Sequence, residues 1–507
     1  MNRVICIFLL ATLLSATSFA QTIQYSNYER EDTRDINFEI IGKMNNKILV
    51  YKNIRWKHKI NIYDNNMNTI ETVKLDFVPE KTFNIDFVAY SDHFIMIYQY
   101  QKGNILHCMA VKMDDNAQKL SEPVEVDTTR IPVMSNNKIY TTISSEDKQK
   151  IIIFKIQTRY QKFNLATMLF DNNMQLIKRS RYLAEFNDRK ESYDNFLLTN
   201  DGNFIFTYAK QLGYRDNSNF LSLMMKAPLS DDFSEVKINL DEKYIDEVNL
   251  KIDNRNNRYI LNTFYYKKSR GSIDGLFTYI YDKNDDKAAV SALLPFNDSL
   301  RAEAKTSGML RFAFDNFFIR QIVVKGDGGF ILTAEDYSSD SRGRDPFNRY
   351  DYLYNPYYPY YPYSIYPGGY YYNPYTGYYR PSSFYGSQST RYYSDNIFVL
   401  SISKDGMPQW DKILHKSQFD DDDENFLSFF TMTSGSEIHF LYNSDKRNQI
   451  VTDQGLTPDG VLTRYPTLKS REKGYEFMPS LSKQVGARQL IIPCSYRGFI
   501  CFAKVDF

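Results

Sequence analysis

Cysteine, histidine and tryptophan are scarce in this chain: four, five and two among 507 residues. Three of the cysteines, Cys108, Cys494 and Cys501, lie beyond the amino-terminal leader described below, and three thiols cannot staple so long a chain. Cys494 and Cys501 flank the tight turn "SYRG" (495–498) and read as out of register for pairing across it, hence as buried thiols. The histidines, His58, His93, His107, His415 and His439, form no HExxH and no close pair, so they carry no metal-binding or general-base signature. There is no G-x-S-x-G elbow and no phosphate-binding glycine loop; "KGDGG" (325–329) reads as a hairpin turn. An excess of one charge is also missing: 62 basic residues stand against 61 acidic. That balance excludes the strongly basic field that bulk nucleic-acid binding needs. Helical periodicity is almost absent, the stretch 299–314 excepted. These absences name no reaction and imply no cofactor.

Long apolar runs are confined to the start. Arg3 precedes the apolar segment Val4–Leu14, and the small-residue site Ser18-Phe19-Ala20 precedes Gln21. This is the layout of a secretory signal peptide cut after Ala20. The apolar run is too short to span a bilayer, and no later stretch is long enough. The expected mature protein, 21–507, is exported to the periplasm, cell surface or extracellular space. Losing Arg3 leaves it with no formal charge.

What the sequence does contain is a repeat. A polar turn followed by a short apolar strand recurs with strands expected to start at Ile48, Phe94, Ile151, Phe204, Tyr259, Phe330, Ile438 and Leu490. Five of the seven intervals lie near fifty-odd residues. Second turns follow, and "DNNM" occurs at both 64 and 171; Asp and Asn suit such turns because they tolerate positive φ and bond their own backbone. Each unit holds about four short strands, a to d. Four antiparallel strands at this period describe a β-propeller blade, which needs its neighbours to bury both faces. The expected fold is all-β, an eight-bladed propeller with a seven-bladed alternative. The last unit supplies only three strands, so the segment 22–29 is expected to complete it and close the ring.

The sixth unit is interrupted between strands b and c by a Tyr/Pro/Gly-rich insertion, expected to be irregular from 338 to 393 and to include Tyr358, Tyr361 and Tyr371. Strand alternation places every b–c loop on one face. Those loops carry Arg55, Trp56, Arg159, Tyr160, Tyr214, Arg215, Arg270, Tyr496 and Arg497, a cationic and aromatic set suited to anionic or glycan ligands. Four consecutive carboxylates, Asp420, Asp421, Asp422 and Asp423, offer oxygen ligands for Ca²⁺. They lack the alternating spacing and the glycine of an EF-hand loop, and read as a solvated acidic loop.

The layout resembles the propeller superfold without the WD dipeptide, the kelch glycine pair or sialidase Asp boxes. With its Asn/Lys/Ile/Tyr-rich composition and Tyr-Pro-Asn insert, the whole chain looks like secreted β-propeller proteins of Bacteroidota. That resemblance implies a compartment and no activity. The expectation from sequence is a non-enzymatic binding scaffold. It would meet a polysaccharide, an envelope component or a protein partner through the b–c face and the tyrosine arm. The alternative is a propeller hydrolase or lyase acting on glycans, with Asp and Glu from different blades meeting at the centre.

Overall fold

The computed structural model describes residues 21–30, 37–131, 139–159, 161–187, 190–213, 216–305, 314–341, 349, 390–421, 424–444, 447–470 and 474–507. The expected leader, 1–20, and the core of the tyrosine-rich insertion, 350–389, lie outside them.

Strand b of each unit starts within one residue of its expected position, at Lys47, His93, Lys150, Phe204, Arg258, Phe330, Glu437 and Gln489. Each lies between strands a and c of its own unit in an antiparallel sheet. We number these units sheets 1 to 8 in chain order. Sheets 4 and 5 are joined into one hydrogen-bonded sheet by the single pair Ser218↔Ile245. Sheet 8 takes its fourth strand from the start of the chain: Thr22–Tyr25 pairs antiparallel with the last strand, Thr22 opposite Asp506 and Tyr25 opposite Ala503.

The apolar runs are continuous rather than alternating because both faces of every sheet are covered. Successive side chains of a strand point to opposite faces. Phe94 and Met96 thus pack with Leu49 and Tyr51 of sheet 1, whereas Ile95 and Ile97 pack with Ile151 and Ile153 of sheet 3. The pattern repeats along the chain: Phe154 with Phe204, Leu223 with Leu261, Phe264 with Phe398, Val399 with Phe440, and Leu441 with Ile492. A further cluster sets Ile491 and Phe502 of sheet 8 against Phe38 and Val50 of sheet 1. Burying one such side chain stabilises by about 1.5–3 kcal/mol, so the contacts between sheets are the main source of stability. The architecture is all-β and propeller-like.

The turn chemistry is equally regular. In both "DNNM" turns the aspartate accepts backbone N–H bonds two and four residues on, Asp64 from Asn66 and Asn68, Asp171 from Asn173 and Gln175. Met67 and Met174 take up the left-handed conformation, φ 62° and 61°. Asp114 builds the same turn in sheet 2, with Ala117 at φ 55°.

The structure departs from the sequence reading in three places. The helix occupies only Asp298–Ala304 of the expected 299–314 stretch, and 306–313 lie outside the described residues. Strands b and c of sheet 6 continue to Ser341 and from Thr390, so both ends of the expected irregular insertion are a regular ribbon. Cys494 and Cys501 are in register: the turn contains only Arg497 and Gly498, at φ 50° and 82°, so Tyr496 opposes Phe499 and the cysteines oppose each other. Their sulfurs lie 2.9 Å apart, buried and unbridged.

Candidate functional site

Of the loop residues singled out from sequence, the structure describes Arg55, Trp56, the backbone of Arg159, Arg270, Tyr496 and Arg497. Arg55 and Trp56 occupy the two-residue turn between strands b and c of sheet 1, both at positive φ, and both are exposed. Arg497 is exposed and stacks over Tyr496. Tyr496 itself is buried, against Tyr475 at 4.3 Å. Arg270 lies 3.6 Å from Asp216. The backbone of Arg159 ends a strand opposite Lys162. Tyr160, Tyr214, Arg215, Tyr358, Tyr361, Tyr371, Asp422 and Asp423 lie outside the described residues. Asp420 sits in a short strand beside the sheet 6 ribbon, and Asp421 is paired with Arg391 at 2.5 Å. Among the described residues no group of three or more His, Cys, Asp or Glu is placed to hold a metal.

The chemistry that sequence reading missed is buried along the first strands of the sheets. These strands carry carboxylates amid apolar residues: Glu39, Asp86, Asp194, Asp246 and Glu247. In sheet 4, two residues of strand a, Asn195 and Phe196, sit where strand b offers only Phe206, so the strand bulges after Asp194. Asn195 is left-handed, φ 58°. Its amide donates to Thr207 Oγ1 (3.1 Å) and crosses to the carbonyl of Val248 in sheet 5 (2.8 Å). Bulges of this kind re-aim side chains and are frequent at working sites. Here the result is an aspartate whose Oδ1 is shut off from solvent without a hydrogen-bond partner, although the residue as a whole is only half-buried. Burial, opposed only by the Ser192 side chain, pushes the Asp194 carboxyl up to about 7.

Sheet 5 carries the equivalent bulge one sheet on, at Asp246 and Glu247. These two carboxylates enclose the guanidinium of Arg349, the one described residue between Ser341 and Thr390: Asp246 at 2.8 Å, Glu247 at 3.0 Å.

In sheet 6, Glu335 is fully buried. Its carboxylate takes Lys416 Nζ at 2.8 Å, Arg320 Nη2 at 2.5 Å, and the hydroxyls of Ser394 and Ser428 at 2.6 Å each. Burial alone would raise it, but the Lys416 ammonium and the Arg320 guanidinium outweigh that and hold it down at about 2.

Each histidine has a hydrogen-bond partner, and that of His439 is a fully buried carboxylate. Asp453, fully buried, binds His439 Nδ1 at 2.9 Å and accepts from Gln21 at 2.8 Å. His439 Nε2 meets only Glu437, at 3.9 Å, beyond hydrogen-bond reach, and the rings of Tyr465 and Phe507 lie at 5.1 and 5.6 Å. Among the described residues no nucleophile is placed for it to activate, so this cluster acts as a structural joint.

No family model matches the sequence, and no curated protein does. Likeness to solved structures is at the level of β-propeller-like folds. Prolyl oligopeptidase B from Galerina marginata is 9% identical with a TM-score of 0.42, over 92% of this chain and 56% of that one. Sqt1 from Saccharomyces cerevisiae is 7% identical with a TM-score of 0.41, over 96% and 98%. The dihydro-heme d1 dehydrogenase NirN is 9% identical with a TM-score of 0.39, over 94% and 73%. The chain thus spans little more than half the length of the prolyl oligopeptidase it resembles. Two of the three are enzymes, so the expected non-enzymatic scaffold finds no support in these comparisons, which show likeness of fold alone.

Proposed function

We propose that the protein is an exported glycan-cleaving propeller hydrolase or lyase, with Asp194 as its proton-carrying group. In this reading the sheets form a closed ring of eight blades. Each hydrophobic cluster is one seam between neighbouring blades, and the strand Thr22–Tyr25 completes the last blade. The first strands of the blades then surround the axis, and their carboxylates gather at its b–c end.

The observation that carries the functional reading is the Asp194 carboxyl: an unpartnered, desolvated oxygen on a bulged inner strand, holding its proton up to about 7. A carboxyl of this kind is a general acid at neutral pH, as glycoside cleavage requires. In the hydrolytic case Asp194 gives its proton to the leaving glycosidic oxygen as the C–O bond breaks. Water then supplies the hydroxyl to the sugar carbon and returns a proton to solvent or to the carboxylate. The leader and the exposed Trp56 and Arg55 at a loop tip agree with a substrate met outside the cytoplasm.

The test is release of new reducing ends, or of unsaturated ends for a lyase, from a panel of neutral and acidic polysaccharides. The wild-type protein is expected to cleave at least one and Asp194→Asn to lose about 10²-fold or more in rate, the ordinary contribution of a general acid. Equal activity of the two proteins, or no turnover of any substrate, overturns the reading.

A further inference from the structure

Arg349 occupies a receptor built almost wholly by other parts of the chain. Its Nε and Nη2 donate to the two oxygens of Asp246 at 2.8 and 2.9 Å, a fork-to-fork pair. Nη2 also donates to Glu247 Oε2 at 3.0 Å, and Nη1 to the carbonyl of Phe317. The guanidinium lies over the rings of Phe318 and Phe264, 4.6 and 5.3 Å away. Every acceptor and both rings belong to sheets 5 and 6.

Those receptor groups are held by bonds that do not involve the insertion. The Tyr266 hydroxyl donates to Asp246, Asn249 Nδ2 donates to Glu247 Oε1 at 3.0 Å, and the Ile319 amide donates to Glu247 Oε2 at 3.2 Å. The bulge between Ile245 and Val248 places the two carboxylates next to each other. Their side chains are 0% and 2% exposed. Two adjacent, buried carboxylates are costly unless a cation fills the space between them. The planar donors, the bidentate geometry and the flanking rings select a guanidinium over an ammonium.

We propose that this seam is a preformed guanidinium-binding site, filled in cis by Arg349, which accepts an alkylguanidinium, the side chain of arginine, when Arg349 is absent. This assignment stands on the Arg349 contacts alone and does not require Asp194 to act as an acid.

The experiment is thermal unfolding of the full mature chain with Arg349→Ala, with and without millimolar methylguanidinium, against methylammonium at equal ionic strength. Arg349→Ala is expected to melt lower than wild type. Methylguanidinium should raise its midpoint, leave wild type unchanged, and lose its effect in Arg349→Ala/Asp246→Asn. Methylammonium should do nothing, and Arg349→Lys should not restore the wild-type midpoint. If Arg349→Ala does not fold unaided, refolding yield is compared in the two salts, with methylguanidinium expected to give more folded protein. An unchanged midpoint in Arg349→Ala, equal effects of the two cations, or equal shifts in wild type and variant overturn the proposal.

Discussion

Replacing Glu335 by Gln tests the buried charge cluster of sheet 6. The side chain is nearly isosteric, but Lys416 and Arg320 lose the carboxylate that both of them face, and Lys416 is 1% exposed. Leaving a buried ion without its partner typically costs about 3–5 kcal/mol. The pH dependence gives a second magnitude. Glu335 is held at about 2 against an ordinary value of 4.5; at about 1.36 kcal/mol per pH unit this amounts to roughly 3 kcal/mol. Because the folded value lies below the unfolded one, that stabilisation is complete above pH 4.5 and drains away as pH falls from 4.5 towards 2. Urea unfolding of wild type and Glu335→Gln at pH 7 and at pH 3 reads both effects. The variant should be weaker by about 3–5 kcal/mol at pH 7, and the gap should narrow in acid. Glu335→Leu/Lys416→Met should cost less than Glu335→Leu alone, since Lys416 is then no longer left as a buried ion without its carboxylate. A loss below about 1 kcal/mol at pH 7, or single changes that simply add, would refute the reasoning.

Four further outcomes follow. Asp194→Asn should stabilise the protein at pH 8 by up to roughly 4 kcal/mol and little at pH 4, because a carboxyl raised from 3.8 to about 7 weakens the folded state as pH rises between those values; equal stabilisation at both pH values would contradict this. Removing Thr22–Tyr25 should lower the melting point and promote self-association, since the last strand becomes an open edge; an unchanged monomer would argue against closure. Treatment with oxidised glutathione should convert Cys494 and Cys501 to one cross-strand disulfide, releasing two reduced glutathione molecules and leaving Cys108 as the only alkylatable thiol after unfolding; three remaining thiols would count against it. Amino-terminal sequencing of the secreted protein should begin at Gln21, and a retained leader would refute export by cleavage.

The repeat was legible because each sheet states it locally: a polar turn, then an apolar strand whose two faces are both covered. That is why Phe94, Ile151 and Leu490 lie one residue from the observed strand starts. The "DNNM" turns were legible for the same reason, with every donor and acceptor inside five residues. The cysteine register is hidden because "SYRG" reads as a four-residue turn, whereas only Arg497 and Gly498 turn the chain. The candidate site was not legible. Glu335 and Lys416 are separated by the whole insertion, and Arg349 reaches back to Asp246 over 103 residues. No spacing rule joins such partners. The available signal is subtler: carboxylates among the apolar residues of a strand, one in "NFEIIGKM" and three in "YIDEVNLKID". A charge inside a buried strand must find a partner or keep its proton; Glu335 does the first and Asp194 the second.

Infrared difference spectroscopy of wild type against Asp194→Asn across pH observes the protonation of Asp194 directly. A protonated-carboxyl C=O band present at pH 5, absent from the variant and lost with a midpoint near 7, is the predicted result. A spectrum in which that carboxyl is already fully ionised at pH 5 would contradict it.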